Sequence, residues 1–373
     1  MSTHPADLTI ENLSKGYPGA GGTVPALEEL SVCVDSGSTL AVLGPSGCGK
    51  STLLRLIAGI EAPDAGRIVL GGRELSRLDL TVDADRRGIN MVFQNYALWP
   101  HLRVRDIIGY GLLHGRHRTD RARREAKVAE LVELLQLAGL EDRRPAEISG
   151  GQQQRVAIAR ALATEPDLLL FDEPLSNLDV QLRATMRTDL ATLLRRLSTT
   201  AVYVTHDVTE ALALADRILV LDHGRAVQLD TARAVFSRPA TPWVAAMAGF
   251  SSRLVPQRVD RAAGEARVIL GDETLLGQAC GDGSGGPDGT NRSPQVFIHP
   301  DAVRLVYGLP AGAAGTVSGV VTACVYEGRA YRVTVQIPDA GTVSLLAPSS
   351  LEPETRVALS IDPDGVLVFG RAA

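Results

Sequence analysis

Three observations predict an α/β domain followed by a small all-β barrel. Residues 44–51 fit the pattern G-x-x-x-x-G-K-[ST], between an apolar run at 40–43 and a helical pattern from Ser51. Residues 168–171, Leu-Leu-Leu-Phe, are continuously apolar, as in a parallel strand buried on both faces, and they end in Asp172 and Glu173. Beyond Gly249 helical periodicity gives way to short alternating segments.

The phosphate-loop pattern comprises Gly44, Pro45, Ser46, Gly47, Cys48, Gly49, Lys50 and Ser51, with Thr52 following. Gly44, Gly47 and Gly49 lack a Cβ, so successive N–H groups can turn inward around phosphate oxygens at the positive end of a helix. Lys50 is then expected at the β- and γ-phosphates and Ser51 on a Mg²⁺ ion. A glycine-rich turn before an unrelated helix fits the same eight residues, and the remainder of the chain argues against it.

Composition narrows the classes. The 373 residues suffice for two or three domains. A net charge of −5 and a pI near 5.9 argue against a dedicated nucleic-acid binder. No apolar run approaches the roughly 18–20 residues that span a bilayer. The opening residues, Met1 to Asp7, show no charged segment followed by an apolar one, which predicts a cytosolic chain. Cys33, Cys48, Cys280 and Cys324 form no metal-ligand spacing and are expected to be reduced.

In chain order, residues 8–17 and 30–34 read as strands joined by a glycine-rich turn at 18–22, an antiparallel opening. Tyr17 is placed to stack on a base, though ordinary packing explains an aromatic before Pro18 equally well. Residues 67–70 and 89–93 read as strands, the second ending at Gln94. From 104 to 154 the pattern is helical, with a basic segment at 114–124 read as a solvated face and an amphipathic helix at 126–137. Ser149, Gly150, Gly151 and Gln152 open another helix and read as a second anion site.

Charges beside a core are expensive, and a Mg²⁺–phosphate site compensates Asp172 and Glu173: the first to the metal shell, the second to the attacking water. Pro174 ends that strand, and residues 176–179 cap the next helix. Residues 201–204 form another buried strand, ending in Thr205, His206 and Asp207. A lone histidine at a strand end is often structural, but this strand adjoins the acidic one, where open α/β sheets bind ligands. Residues 218–228 read as a closing hairpin. In the last part, strands are expected at 267–270, 295–299, 317–325, 331–337, 356–361 and 366–369, with a glycine-rich loop at 280–294.

Five motifs in fixed order resemble the ATP-binding cassette family: Walker A at 44–52, the Q-loop at Gln94, the signature at 149–152, Walker B at 168–173 and the H-loop at His206. The resemblance covers residues 8 to about 239, and the following segment resembles the transport-associated OB domain of maltose, polyamine and iron importer ATPases. It implies a cassette domain at 1–245, with a helical subdomain at about 104–154, and an OB-like domain at 246–373. It further implies ATP and Mg²⁺ as cofactors, with Ser51, Gln94 and Asp172 at the metal. Glu173 matches the general base, His206 the γ-phosphate contact, Tyr17 the adenine-stacking aromatic and Asp179 the D-loop residue at a dimer interface. A head-to-tail dimer is expected, in which ATP on Lys50, Ser51 and Gln94 of one copy is closed over by Ser149, Gly150 and Gly151 of the other.

Residues 92–101 look like the segment that receives a permease's coupling helix, and Trp99 within it is expected to be an exposed partner-facing aromatic. Its alternative is burial in the helical subdomain. Ile148 and Val208 depart mildly from the common motifs; His299-Pro300-Asp301 replaces Arg-Pro-Glu, which puts ligand regulation of the second domain in doubt.

The resemblance implies the energy-coupling ATPase of an importer, peripheral to the cytoplasmic face of the membrane. Its partners are integral permease subunits and, indirectly, an extracytoplasmic substrate-binding protein; no nucleic acid is expected. A DNA-repair ATPase of the superfamily would carry a long coiled coil between Gly44 and Ser149, where only about a hundred residues without heptads lie. A translation factor would carry two cassettes, and an unrelated phosphate-loop kinase would lack Ser-Gly-Gly-Gln. The helical insert, with residues 109–112 and 137–140, leans toward ferric iron over polyamines or sugars as cargo.

Overall fold

The computed structural model describes residues 6–19, 22–114, 117–262, 264–280, 293–306 and 315–370. The glycine-rich loop at 280–294 thus falls mostly outside the described residues, as do residues 20 and 21 of the first turn and 115 and 116 of the basic segment. The chain divides into two units, Met1–Ala232 and Arg233–Ala373.

The first unit begins β1 (Leu8–Gly19), β2 (Gly22–Val34), β3 (Thr39–Leu43), α1 (Lys50–Ala58), β4 (Ala65–Leu70), β5 (Arg73–Arg77), β6 (Leu80–Thr81) and β7 (Ile89–Val92). It continues with α2 (Val104–Gly109), α3 (Arg121–Leu134), α4 (Gly150–Leu162), β8 (Leu168–Asp172), α5 (Val180–Leu197), β9 (Thr200–Thr205), α6 (Val208–Leu214), β10 (Arg217–Asp222) and β11 (Arg225–Thr231). Two boundaries differ most from the sequence reading. β2 starts at Gly22, well before residue 30, because Val24 and Thr23 pair with Tyr17 and Pro18 across the hairpin. α3 starts at Arg121, where the Asp120 carboxylate accepts from the Arg123 N–H at 2.8 Å and caps the first turn.

One five-stranded sheet has the order β2-β1-β4-β5-β6, and a six-stranded sheet the order β11-β10-β3-β9-β8-β7. In the second, β10, β3, β9, β8 and β7 run parallel, and β11 returns antiparallel. Residues on a strand alternate between faces, and the packing follows that period. Leu168, Leu170, Val202 and Val204 join Leu53, Leu54 and Ile57 of α1 in one core. Leu169, Phe171, Ala201 and Tyr203 join Val156 and Ile158 of α4 and Met186 of α5 in the other. A strand covered on both sides has no place for a polar residue before its end, which explains the apolar run at 168–171.

The parallel register sets the C-terminal ends of β3, β8 and β9 side by side: Leu43 pairs with Thr205, and Asp172 with Val204. The phosphate loop, the two carboxylates and His206 therefore leave the sheet at one edge.

Among the described residues the second unit is all-β apart from short helices, with eleven strands in one sheet. Five of them, Ser252–Leu254, Arg258–Ala262, Glu273–Ala279, Val303–Val306 and Gly341–Ala347, were not expected from the sequence. The division falls at 232/233, earlier than the expected 245/246. Phe236, Ala245, Ala248 and Phe250 pack on Phe297, Leu367 and Phe369, so this stretch shares a core with the strands that follow it.

Candidate functional site

Tyr17, Ser46, Gly47, Gly49, Lys50, Ser51, Thr52 and Glu173 line one cleft of 460 Å³, together with Val24, Pro25 and Ala26 of β2. At Gly44 and Gly49 nothing larger fits. Gly49 holds φ of 106°, and a Cβ on it would lie 2.3 Å from the Ala26 carbonyl oxygen; a Cβ on Gly44 would lie 2.2 Å from that of Leu221. Gly47, at φ of 81°, has open space where a Cβ would stand, which leaves its backbone accessible. Lys50 is buried, and its Nζ donates to the carbonyl oxygens of Gly44 and Pro45, each at 2.8 Å. Cys48 is buried behind the loop, where burial raises the pKa of its thiol.

Tyr17 stands at one end of the cleft. Its hydroxyl donates to Glu61 and lies 3.4 Å from Thr52 Oγ1, and Lys15 Nζ lies 5.9 Å from the ring centroid. Burial, then the bond to Glu61, raises the Tyr17 pKa and keeps the phenol protonated. Glu61 was not read from the sequence; it carries no motif, and only the fold brings it to Tyr17.

At the other end stand Ser51 and Glu173, with Asp172 directly before Glu173 at the end of β8. Burial, and next the charge of Glu173, raises the Asp172 pKa, with the Ser51 hydroxyl acting to lower it. The donor set fits Mg²⁺, since a hydroxyl and a carboxylate are hard oxygen ligands. No group of three or more histidine, cysteine or acidic residues is arranged to hold a metal ion among the described residues, so phosphate oxygens and water would complete the shell.

Glu173 sits directly after β8 with φ of 43°, the left-handed region that costs a non-glycine residue about 1–3 kcal/mol. The conformation is over-determined. Its N–H donates to the Val204 carbonyl at 3.1 Å, and its own carbonyl accepts from Ser176 N–H and Oγ at 3.2 and 2.8 Å. His206 Nδ1 lies 3.0 Å from Glu173 Oε2.

Other expected site residues lie outside this cleft. Gln94 is exposed, and its main-chain carbonyl accepts from Asn177 Nδ2 at 2.9 Å. Ser149 caps α4: its Oγ accepts from Gln152 N–H at 3.4 Å while Gln152 Oε1 accepts from Ser149 N–H at 2.9 Å. Gly150 and Gly151 face Leu178 and Leu182, a Cβ on each coming within 3.4 and 3.2 Å of those side chains. Asp179 caps α5, accepting from Leu182 N–H at 2.9 Å. The signature and D-loop residues thus adjoin each other and leave the cleft without them.

Trp99 differs from its expected exposure. It is half-buried against the helical core, with its ring 4.3 Å from that of Tyr110 and 5.3 Å from the Arg160 guanidinium. Arg160 also donates to the carbonyls of Ala97 at 2.5 Å and Tyr96 at 3.1 Å, both residues with positive φ. An arginine on α4 therefore holds the loop after Gln94, and Trp99 is part of that packing.

A strand-borne phosphate loop beside an acidic strand end and a histidine defines a phosphate-loop nucleotide hydrolase of the cassette type. Residues 27–176 match the ABC transporter family, and residues 296–369 the TOBE domain. The Fe(3+) ions import ATP-binding protein FbpC 1 of Rhizobium meliloti is 39% identical over 98% of both chains. The spermidine/putrescine import ATP-binding protein PotA of Acidothermus cellulolyticus is 41% identical, over 88% of this chain and 83% of its own. The sn-glycerol-3-phosphate import ATP-binding protein UgpC of Chromobacterium violaceum is 44% identical, over 80% and 77%. A dimeric structure of the ATP-binding cassette MJ0796 bound to ADP and Pi aligns with a TM-score of 0.53 at 30% identity, over 61% of this chain and 99% of that one.

The chain belongs to the ATP-binding subunits of ABC importers. It is an ATPase that drives import, with an α/β cassette followed by an all-β TOBE domain.

Proposed function

We propose that the chain hydrolyses MgATP in the cleft between the phosphate loop and Glu173, as a homodimer seated on membrane permeases that import ferric iron. The observation that carries the chemistry is the convergence of Lys50, Ser51, Asp172, Glu173 and His206 on one sheet edge. Backbone N–H groups of residues 46–51 and Lys50 hold the phosphates, and Tyr17 with Val24 and Ala26 holds the base. A Mg²⁺ ion held by Ser51 and Asp172, with Gln94 joining on loop movement, would neutralise the phosphate charge.

Glu173 takes the proton of the attacking water. A carboxylate only accepts hydrogen bonds, so His206 Nδ1 carries the hydrogen that meets Oε2, and Nε2 stands on the far side of the ring. His206 thereby orients the base and presents a second polar atom toward the nucleotide.

Ser149, Gly150, Gly151, Gln152 and Asp179 act across a head-to-tail dimer, each cleft being closed by the signature helix of the other copy. That the cleft lacks these residues within one chain supports this reading. Ferric iron as cargo is supported by the iron-import relative that matches over 98% of both chains. A binding protein outside the membrane would deliver it, and the ATPase would sit at the cytoplasmic face. No helix of the described residues is long and apolar enough to cross a membrane.

The test is uptake of radiolabelled ferric iron by cells that express the chain with its neighbouring permease genes, against the same cells carrying Glu173→Gln. Equal uptake by the two would sink the assignment. ATP-dependent uptake of putrescine without iron uptake would move the cargo to polyamines.

A further inference from the structure

Below His206 lies a carboxylate that the chemistry above does not use. Glu210, on α6, is 3% exposed. Its Oε2 accepts from the Tyr203 hydroxyl at 2.9 Å and from Thr205 Oγ1 at 2.8 Å. Thr205 Oγ1 accepts in turn from Asp207 N–H at 2.9 Å. The residues on both sides of His206 are therefore tied, through one hydroxyl, to one buried carboxylate.

The neighbouring loop is held separately. Arg183, on α5, donates from Nη2 to the carbonyls of Ser176 at 3.1 Å and Leu178 at 3.0 Å, just ahead of Asp179. Ser176 also holds the Glu173 carbonyl. The loops bearing Glu173 and Asp179 are thus joined through Ser176, next to the strand end that carries His206. Burying a carboxylate is costly, and an apolar residue of like volume is often as stable or more so; a geometric demand on the loop that carries His206 explains why one stands here.

We propose that Glu210 is a positioning residue for ATP hydrolysis: through Thr205 it fixes the main chain that carries His206. The inference rests on the reading of Glu173 and His206 given above.

The experiment compares Thr205→Val, Glu210→Gln and Glu210→Ala with wild type, each also made in a His206→Ala background. For each full-length protein, kcat, KM for MgATP, affinity for a fluorescent ATP analogue and the thermal midpoint are measured. Residual turnover is followed by release of radiolabelled phosphate. Thr205→Val is expected to lower kcat about tenfold, with nucleotide affinity and KM within about twofold, since loss of alignment and not of binding is at issue. Glu210→Gln keeps an accepting oxygen and is expected to retain at least half of kcat. In the His206→Ala background Thr205→Val should cause no further loss, because its effect passes through His206. Equal fractional losses in both backgrounds, or losses that follow the thermal midpoint, would overturn the proposal. Thr205→Val decides the matter even where Glu210→Ala does not fold. Wild-type turnover by His206→Ala itself would overturn the reading of the site, and this proposal with it, an outcome distinct from additive losses on an inactive background.

Discussion

His206 Nδ1 and Glu173 Oε2 stand 3.0 Å apart, one just past the end of β9 and the other just past the end of β8. Because β8 and β9 are hydrogen-bonded neighbours in parallel register, the contact needs no loop to fold back. Glu173 sits in a left-handed backbone conformation held from both sides, so its carboxylate is placed before any nucleotide arrives. Glu173→Gln is expected to keep ATP binding and to lose about 10²–10⁴ in hydrolysis rate, as removal of a positioned base does. Phosphate release within a few-fold of wild type, at unchanged nucleotide affinity, would show that Glu173 is not the base.

A site completed by a second copy makes a mixing prediction. Lys50→Ala and Ser149→Arg homodimers should each fail, since both of their sites carry the defect. In a one-to-one heterodimer both defects fall into one site, and the other keeps an intact Lys50 and an intact Ser149. Occluded ATP should reappear in such a heterodimer, purified on two affinity tags. No occlusion above either parent would mean that each site lies within one chain.

Trp99→Ala should destabilise the isolated protein by about 1–3 kcal/mol, the sum of an aromatic pair with Tyr110, a cation–π contact with Arg160 and lost burial. A chemical-denaturation curve measures this. An unchanged midpoint, with permease association lost, would instead mark Trp99 as a partner contact.

Asp172 gives a prediction with pH. Burial and Glu173 raise its folded-state pKa, so the native state holds this proton more tightly than the unfolded chain. The associated stability is present below the ordinary carboxylate pKa, about 3.9, and is lost as pH rises through the raised value. At neutral pH the ionised side chain therefore costs stability when no nucleotide is bound. Asp172→Asn should melt a few degrees higher than wild type at neutral pH, with the gain shrinking as pH falls into the carboxylate range. Thermal melts of the nucleotide-free proteins across that range test it; a lower midpoint for the variant at neutral pH would contradict the sign.

The local sequence determined what could be decided from neighbours along the chain. A glycine pattern before Lys50, an apolar run ending in Asp172 and Glu173, and Ser149 three residues before Gln152 are short-range signals, because loops, doubly covered strands and helix caps are set by residues next to one another. The strands at Tyr331–Ile337 and Val366–Phe369 were legible for the same reason. Tertiary structure decided what depends on residues far apart. Glu61 meets Tyr17 only because the chain after α1 returns beside β1, and Glu210 matters only because α6 packs it against Tyr203 and Thr205 of β9. Trp99 looked exposed because nothing adjacent in sequence covers it; Arg160, on another helix, does. Buried polar partners and aromatic contacts are satisfied in space, and the sequence records the groups without recording which of them meet.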